Sequence, residues 1–327
     1  MKELVKTFPQ QLKDALTIGV KTRLNADSFS PVNVVICGLG GSGIGGTIAS
    51  QLVGEHCPVP VIVSKDYFLP GFVSKKTLVI VSSYSGNTEE TLQCMEEAIA
   101  KNCRVVCITS GGKVAARAAE KKLECILVPG GLPPRACLGY SLVQLLFIIT
   151  AYKLASATII EDLKKATSFI TGQSSNIEKK ALEVSNILSG KFPFIYSTTK
   201  WEGVAIRFRQ QLNENAKILC SHHVIPEMNH NELVGWTGID QNLAVVVFRD
   251  RDEYPRNDAR IVINLEIIKK YTSTIVELWS EGKTDIEKAL YMIHLGDWIS
   301  VFLAEQRGVD PVEVNVIDYL KGSLAKK

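Results

Sequence analysis

Ser83, Ser85 and Thr88 put three hydroxyl groups within six residues, where the apolar run Leu78-Val-Ile-Val-Ser82 gives way to Asn87-Thr-Glu-Glu90. A β-rich run bounded by Ser and Gly predicts a buried strand, and Asn or Thr followed by Glu predicts the start of a helix. A helix start offers unpaired N–H groups and a positive dipole end. With hydroxyls added and no basic side chain among them, the turn suits a phosphate monoester. The plainer reading is a capped turn. A second loop, Gly38-Leu-Gly-Gly-Ser-Gly43, follows the apolar Val34-Val-Ile-Cys37 and brings Gly41 and Ser42. Its G-x-G-x-x-G spacing fits the diphosphate of a dinucleotide, with Asp66 at the end of the next strand as the ribose acid. Ser42 fits a sugar or its phosphate equally well. A third loop, Pro129-Gly-Gly-Leu-Pro-Pro-Arg-Ala136, delivers one cation, Arg135, to pair with a phosphate or a developing oxyanion. Glu214 in Asn213-Glu-Asn215 is a candidate base, and read alone it is a helix-end glutamate. His222, His223, Glu227 and His230 have the ligand types for zinc. Their spacing is not HExxH and Pro226 interrupts any shared helix, so no metal is expected.

These loops need a frame that holds them side by side. Helical spacing runs from Pro9 to Leu24. Short strands at Val34–Cys37, Val59–Val63, Leu78–Ser82, Arg104–Ile108 and Cys125–Val128 then alternate with helices, the last helix covering Leu138–Leu154. Such alternation predicts an α/β doubly wound domain, its mainly parallel sheet flanked by helices, with ligands beyond the carboxyl ends of the strands. Between Ser156 and Leu188 a Lys/Glu-rich helix, broken at Thr171-Gly-Gln-Ser-Ser175, forms the expected connection. A second series follows: strands at Phe194–Ser197, Lys217–Cys220, Leu243–Phe248 and Thr274–Leu278, and helices at Trp201–Gln211, Asn229–Gly235, Asp258–Tyr271 and Asp285–Gln306. Two domains, 1–154 and 155–327, are expected.

With 327 residues, 46% of them hydrophobic, the chain has material for a large core. Its 37 basic and 34 acidic residues are interleaved, giving a net charge of +3 without the basic run or aromatic-studded face of a nucleic-acid binder. The expected partners are small molecules. The N-terminal residues lack the apolar core of a signal peptide, and no apolar stretch reaches membrane-spanning length. The eight cysteines form no CxxC pair, which fits packed thiols in a reducing cytoplasm.

Gly40-Gly-Ser-Gly43 and Ser83-Tyr-Ser-Gly-Asn-Thr88 resemble the sugar-isomerase (SIS) domain. With Pro133-Pro-Arg-Ala136, Leu212-Asn-Glu-Asn-Ala-Lys217 and Asn229-His-Asn-Glu232 in this order, nearly the whole chain resembles the bifunctional phosphoglucose/phosphomannose isomerase family. The resemblance implies two SIS-type domains and a metal-independent aldose–ketose isomerase without cofactor. It implies phosphate and sugar contacts for Gly41, Ser42, Ser83, Ser85 and Thr88, and stabilisation of an enediol intermediate by Arg135. It implies Glu214 as general base, and His230 and Lys321 as ring-opening groups. It also implies a homodimer with a shared active site, in which His230 reaches the neighbouring chain. Residues Met228, Leu233 and Trp236 around His230 suit such an interface. Two other readings remain open, a non-catalytic phosphosugar sensor and an NAD-dependent dehydrogenase.

Overall fold

The computed structural model describes residues 1–324 and 326. Two short helices, α1 (Lys2–Lys6) and α2 (Phe8–Lys21), precede β1 (Asn33–Cys37), α3 (Gly40–Gly54), β2 (Val61–Ser64), β3 (Thr77–Ser82) and α4 (Glu89–Ala100). The first series ends with β4 (Arg104–Thr109), α5 (Gly112–Glu120), β5 (Glu124–Leu127) and α6 (Leu138–Ala151). After α7 (Thr158–Leu188) come β6 (Phe192–Thr198), α8 (Glu202–Glu214), β7 (Ser221–Ile225), β8 (Leu243–Arg249), α9 (Pro255–Ile268), β9 (Ile275–Trp279), α10 (Asp285–Arg307) and α11 (Asn315–Leu324).

The strands form two wholly parallel sheets, ordered β2-β1-β3-β4-β5 and β7-β6-β8-β9. The second order repeats the first four positions of the first, so the equivalent rhythm of the two halves is a repeat of topology. In each sheet the chain leaves the first strand to one side and returns on the other, creating a switch point between β1 and β3 and another between β6 and β8. All six residues of β3 are buried, as a parallel sheet covered on both faces requires.

The helix that organises the centre is α10. Every residue from Ile286 to Ala304 is buried, and it packs along α7 and against α8. A capping box fixes its start: Thr284 accepts from the Glu287 N–H, and the Glu287 carboxylate accepts from the Thr284 N–H. Gly308, at φ +65, ends it in the left-handed conformation that glycine adopts without strain.

Three expected elements differ. The helix through Thr171–Ser175 is continuous, because Thr171 and Ser174 bond back to the carbonyls of Thr167 (2.7 Å) and Ile170 (3.0 Å) while Ile170, Ile177, Ala181 and Val184 stay on the buried stripe. No strand forms at 217–220: Lys217 is left-handed (φ +56) and Leu219 is exposed, so β7 starts at Ser221. Residues 229–235 lie in two 3-10 turns, Glu227–His230 and Glu232–Gly235, parted at Asn231, whose side chain accepts from the Glu232 N–H.

Candidate active site

The β1–α3 and β3–α4 loops flank the first switch point. The glycine loop leaves no room for a side chain at Gly41 or Gly43: a Cβ on Gly43 would lie 2.4 Å from the Gly38 oxygen, and one on Gly41 would lie 2.9 Å from the Pro134 oxygen. Gly41 is therefore where the Arg135 loop closes on α3. No acidic side chain occupies the first turn of α3 and no side chain caps it, so its dipole end is available to an anion.

In the hydroxyl turn, Gly86 at φ +68 reverses the backbone. Ser42 Oγ accepts from the Tyr84 N–H (3.2 Å) and Ser85 Oγ from the Asn87 N–H (3.2 Å), while Ser83 Oγ donates to Thr88 Oγ1 (3.1 Å). Because Ser42, Ser85 and Thr88 are acceptors inside the protein, each keeps its hydroxyl hydrogen for a ligand. Ser83 is buried and orients Thr88; Ser85 is exposed. Thr88 holds the N-cap position of α4 without bonding its amides.

Arg135 and Glu214 are brought together across 79 residues of sequence, at a place where the carboxyl end of the first sheet meets the amino end of the second. The Arg135 guanidinium, buried at 5% exposure, lies 3.5 Å from Glu214 Oε2 through Nη1. Its Nε donates to Asn215 Oδ1 (2.8 Å), and its Nη2 to the carbonyls of Pro311 (2.5 Å) and Val312 (3.0 Å). Burial lowers the Arg135 pKa, and Glu214 and Asp310 oppose that shift. Among the described residues, Nη1 makes no hydrogen bond and faces the Glu214 carboxylate. Glu214 ends α8 with its carboxylate partly exposed.

A buried polar layer supports the pair. Asp297 accepts from Arg207 (2.7 Å) and Gln211 (2.9 Å), and Arg207 also donates to the Arg135 carbonyl (3.0 Å). Asn215 donates to Ser300 Oγ (2.9 Å), and Ser300 donates to the Asp297 carbonyl (2.7 Å). Burial raises the Asp297 pKa against the opposing pull of Arg207 and Gln211.

The second switch point carries different chemistry. Thr198 donates to Glu253 (2.8 Å), and Lys288 pairs with Asp250 (2.8 Å) and Asp252. Three carboxylates where the first sheet has hydroxyls and glycines would repel a phosphate.

A family model for the bacterial phospho-glucose isomerase C-terminal SIS domain matches residues 177–324. The chain is 36% identical to the bifunctional phosphoglucose/phosphomannose isomerase of Caldicellulosiruptor bescii, over 100% of this chain and 99% of that one. The chain belongs to this family. The Aquifex aeolicus relative of the same name is 38% identical, with 90% of each chain covered. In fold the chain is similar to the C-terminal domain of glucosamine-fructose-6-phosphate aminotransferase from Francisella tularensis, with a TM-score of 0.75, 17% identity and coverage of 95% of this chain and 96% of that one.

Of the residues that the family resemblance singles out, Gly41 sits against the Arg135 loop, which reaches Glu214, while Ser42, Ser83, Ser85 and Thr88 form the neighbouring hydroxyl set. His230 is not among them. It is exposed at the end of a 3-10 turn beyond the carboxyl end of β7, whereas Glu214 lies before β7 begins; the five residues of that strand span about 16 Å. Lys321 is exposed on α11, nine residues beyond Val312, whose carbonyl Arg135 holds. Met228 and Trp236 do not form a free surface. Both are buried in their own chain, where Trp236 donates to Tyr196 Oη (3.2 Å) and meets the Phe194 ring edge-on. Val234 and Ile239 are the exposed apolar residues there.

The histidine-rich stretch does not converge. His223 Nδ1 accepts from the Val224 N–H, and burial pushes His222 down to about 4, with Arg209, His223 and Lys65 adding to the shift. Among the described residues, no group of three or more His, Cys, Asp or Glu could hold a metal. Sequence reading missed Asn215, Arg207, Gln211 and Asp297. Asn215 was within reach as a neighbour of Glu214; Asp297 lies on a mostly apolar helix and gives no such signal.

Proposed function

We propose that this chain interconverts glucose 6-phosphate, and mannose 6-phosphate, with fructose 6-phosphate through a cis-enediol. The observation that carries this reading is the Arg135–Glu214 pair, held beside hydroxyl loops that suit a phosphate. A carbonyl moves between C1 and C2 when a base removes a proton from one carbon and returns it to the other. A single carboxylate does both, and Glu214 takes this role. As the proton leaves, charge grows on the sugar oxygen, and Arg135 Nη1 offsets it in a setting with little water. Ser42, Ser85 and Thr88 bind the phosphate with their free hydrogens, Ser83 holds Thr88, and the Gly41 backbone lets the loop close on the sugar.

The substrate ring must open first. His230 and Lys321 take this role, and His230 does so from a second copy of the chain. That arrangement is supported by β7, which separates His230 from Glu214 of its own chain. Exposed Val234 and Ile239 next to His230 supply apolar surface for a two-fold contact. The two halves, 1–154 and 155–327, then divide the work: phosphate loops and Arg135 from the first, Glu214 and the ring-opening groups from the second. Eight unpaired cysteines suit the cytoplasm.

The direct test supplies glucose 6-phosphate or mannose 6-phosphate without NAD and follows fructose 6-phosphate by NMR in deuterated water. Product should form with deuterium at C1, the carbon that receives the proton, since C2 gives up its own and becomes the carbonyl. Glu214→Gln should bind substrate yet turn over at least ~10²-fold more slowly, the low end for a positioned base. Binding without product in the wild-type chain would favour a sensor.

A further inference from the structure

Lys217 Nζ lies 2.6 Å from the carbonyl oxygen of Glu214 and 2.6 Å from that of Glu313. Glu214 closes α8, so its carbonyl is among those a helix leaves without an internal partner, at the negative end of the dipole. A cation there is favourable. Lys217 itself adopts the left-handed backbone (φ +56), which L side chains enter at a cost, and this conformation returns its side chain toward the helix it follows.

The partner in this contact matters as much as the helix end. Arg135 holds the carbonyls of Pro311 and Val312, and Lys217 holds the next one, Glu313. Two cations thus grip three successive carbonyls of the segment that leads into α11, a helix that buries none of its residues. The same two cations flank Glu214, Arg135 beside its carboxylate and Lys217 on its main chain. An ammonium group suits the second position because its three donors spread over separate carbonyls, whereas a guanidinium fork is planar.

We propose that Lys217 is a positioning residue. Its ammonium fixes the main chain from which Glu214 projects and docks segment 311–314 onto that point, so the aim of the base and the placement of α11 depend on one contact. This rests on Glu214 being the base.

Lys217→Met keeps the aliphatic stem and removes every donor. It should leave KM within about twofold, because the phosphate loops are untouched, and lower kcat about tenfold or more, the scale of a small misplacement of a reacting group. Hydrogen exchange of amides 312–324 should quicken while that of β1, β3 and β4 stays at the wild-type rate. Lys217→Arg, which restores charge and donors, should recover part of both effects. Wild-type kcat in Lys217→Met overturns the proposal, as does faster exchange with unchanged kcat, or an Arg variant no better than Met. If Lys217→Met does not fold, Lys217→Gln, which retains a shorter donor, is read by the same two measurements, and wild-type kcat in it overturns the proposal equally. Glu214→Gln is run alongside: an active Glu214→Gln refutes the base reading, whereas an inactive one beside an unimpaired Lys217→Met refutes the anchor.

Discussion

At the scale of single residues, the site is built by assigning each donor a partner until only the useful ones are left. Arg135 spends Nε and Nη2 on Asn215, Pro311 and Val312 and keeps Nη1 beside Glu214. Ser85 and Thr88 accept inside the protein and keep their hydrogens. The double variant Ser85→Ala/Thr88→Ala should therefore weaken phosphosugar binding, since each lost hydrogen bond to a charged group is worth ~1.5–3 kcal/mol. Calorimetric titration with a phosphorylated sugar acid measures this, and unchanged affinity would remove these hydroxyls from the phosphate site. The hydroxyls were legible because they lie together in sequence and read as one turn. The Arg135–Asn215 bond was not, because 80 residues separate its partners and nothing in either stretch names the other.

At the scale of elements, hydrophobic periodicity located most strands and helices, and failed where a local signal competed with packing. Gly172 and its hydroxyl neighbours read as a break, yet the buried stripe of α7 runs through them onto α10. On α10, His294 stacks on Phe8 at 5.2 Å with its Nδ1 unbonded, and burial pushes its pKa down to about 3, Arg207 adding to the effect. The unfolded chain takes up this proton near pH 6.5 while the folded chain refuses it, so this contribution to stability is present above pH 6.5 and is lost as pH falls toward 3. From pH 6.5 to 5 the loss should reach roughly 2 kcal/mol. Urea unfolding at several pH values measures it, and His294→Leu should flatten the slope. An equal slope in that variant would place the acid sensitivity elsewhere.

At the scale of the whole molecule, two sheets of like topology have taken different roles. The first keeps its switch point open with glycine and hydroxyls, and the second fills its own with Asp250, Asp252, Glu253 and Lys288 while lending Glu214 to the first. The repeat of topology was legible in the order of elements; the meeting of carboxyl end with amino end was not, since it depends on how α3 packs against α8. This arrangement leaves His230 on the far side of β7 from the base, and in the proposed two-fold dimer a second chain would supply the imidazole. Mixing Glu214→Gln chains with His230→Ala chains puts the shared site to the test. Each should be inactive alone on ring-closed substrate, and a mixed dimer with shared sites would hold one intact site and one doubly altered site. With equal random pairing about half the dimers are mixed, so activity should return to roughly a quarter of wild type. Verified subunit exchange with no recovered activity would contradict the shared site and confine His230 to its own chain.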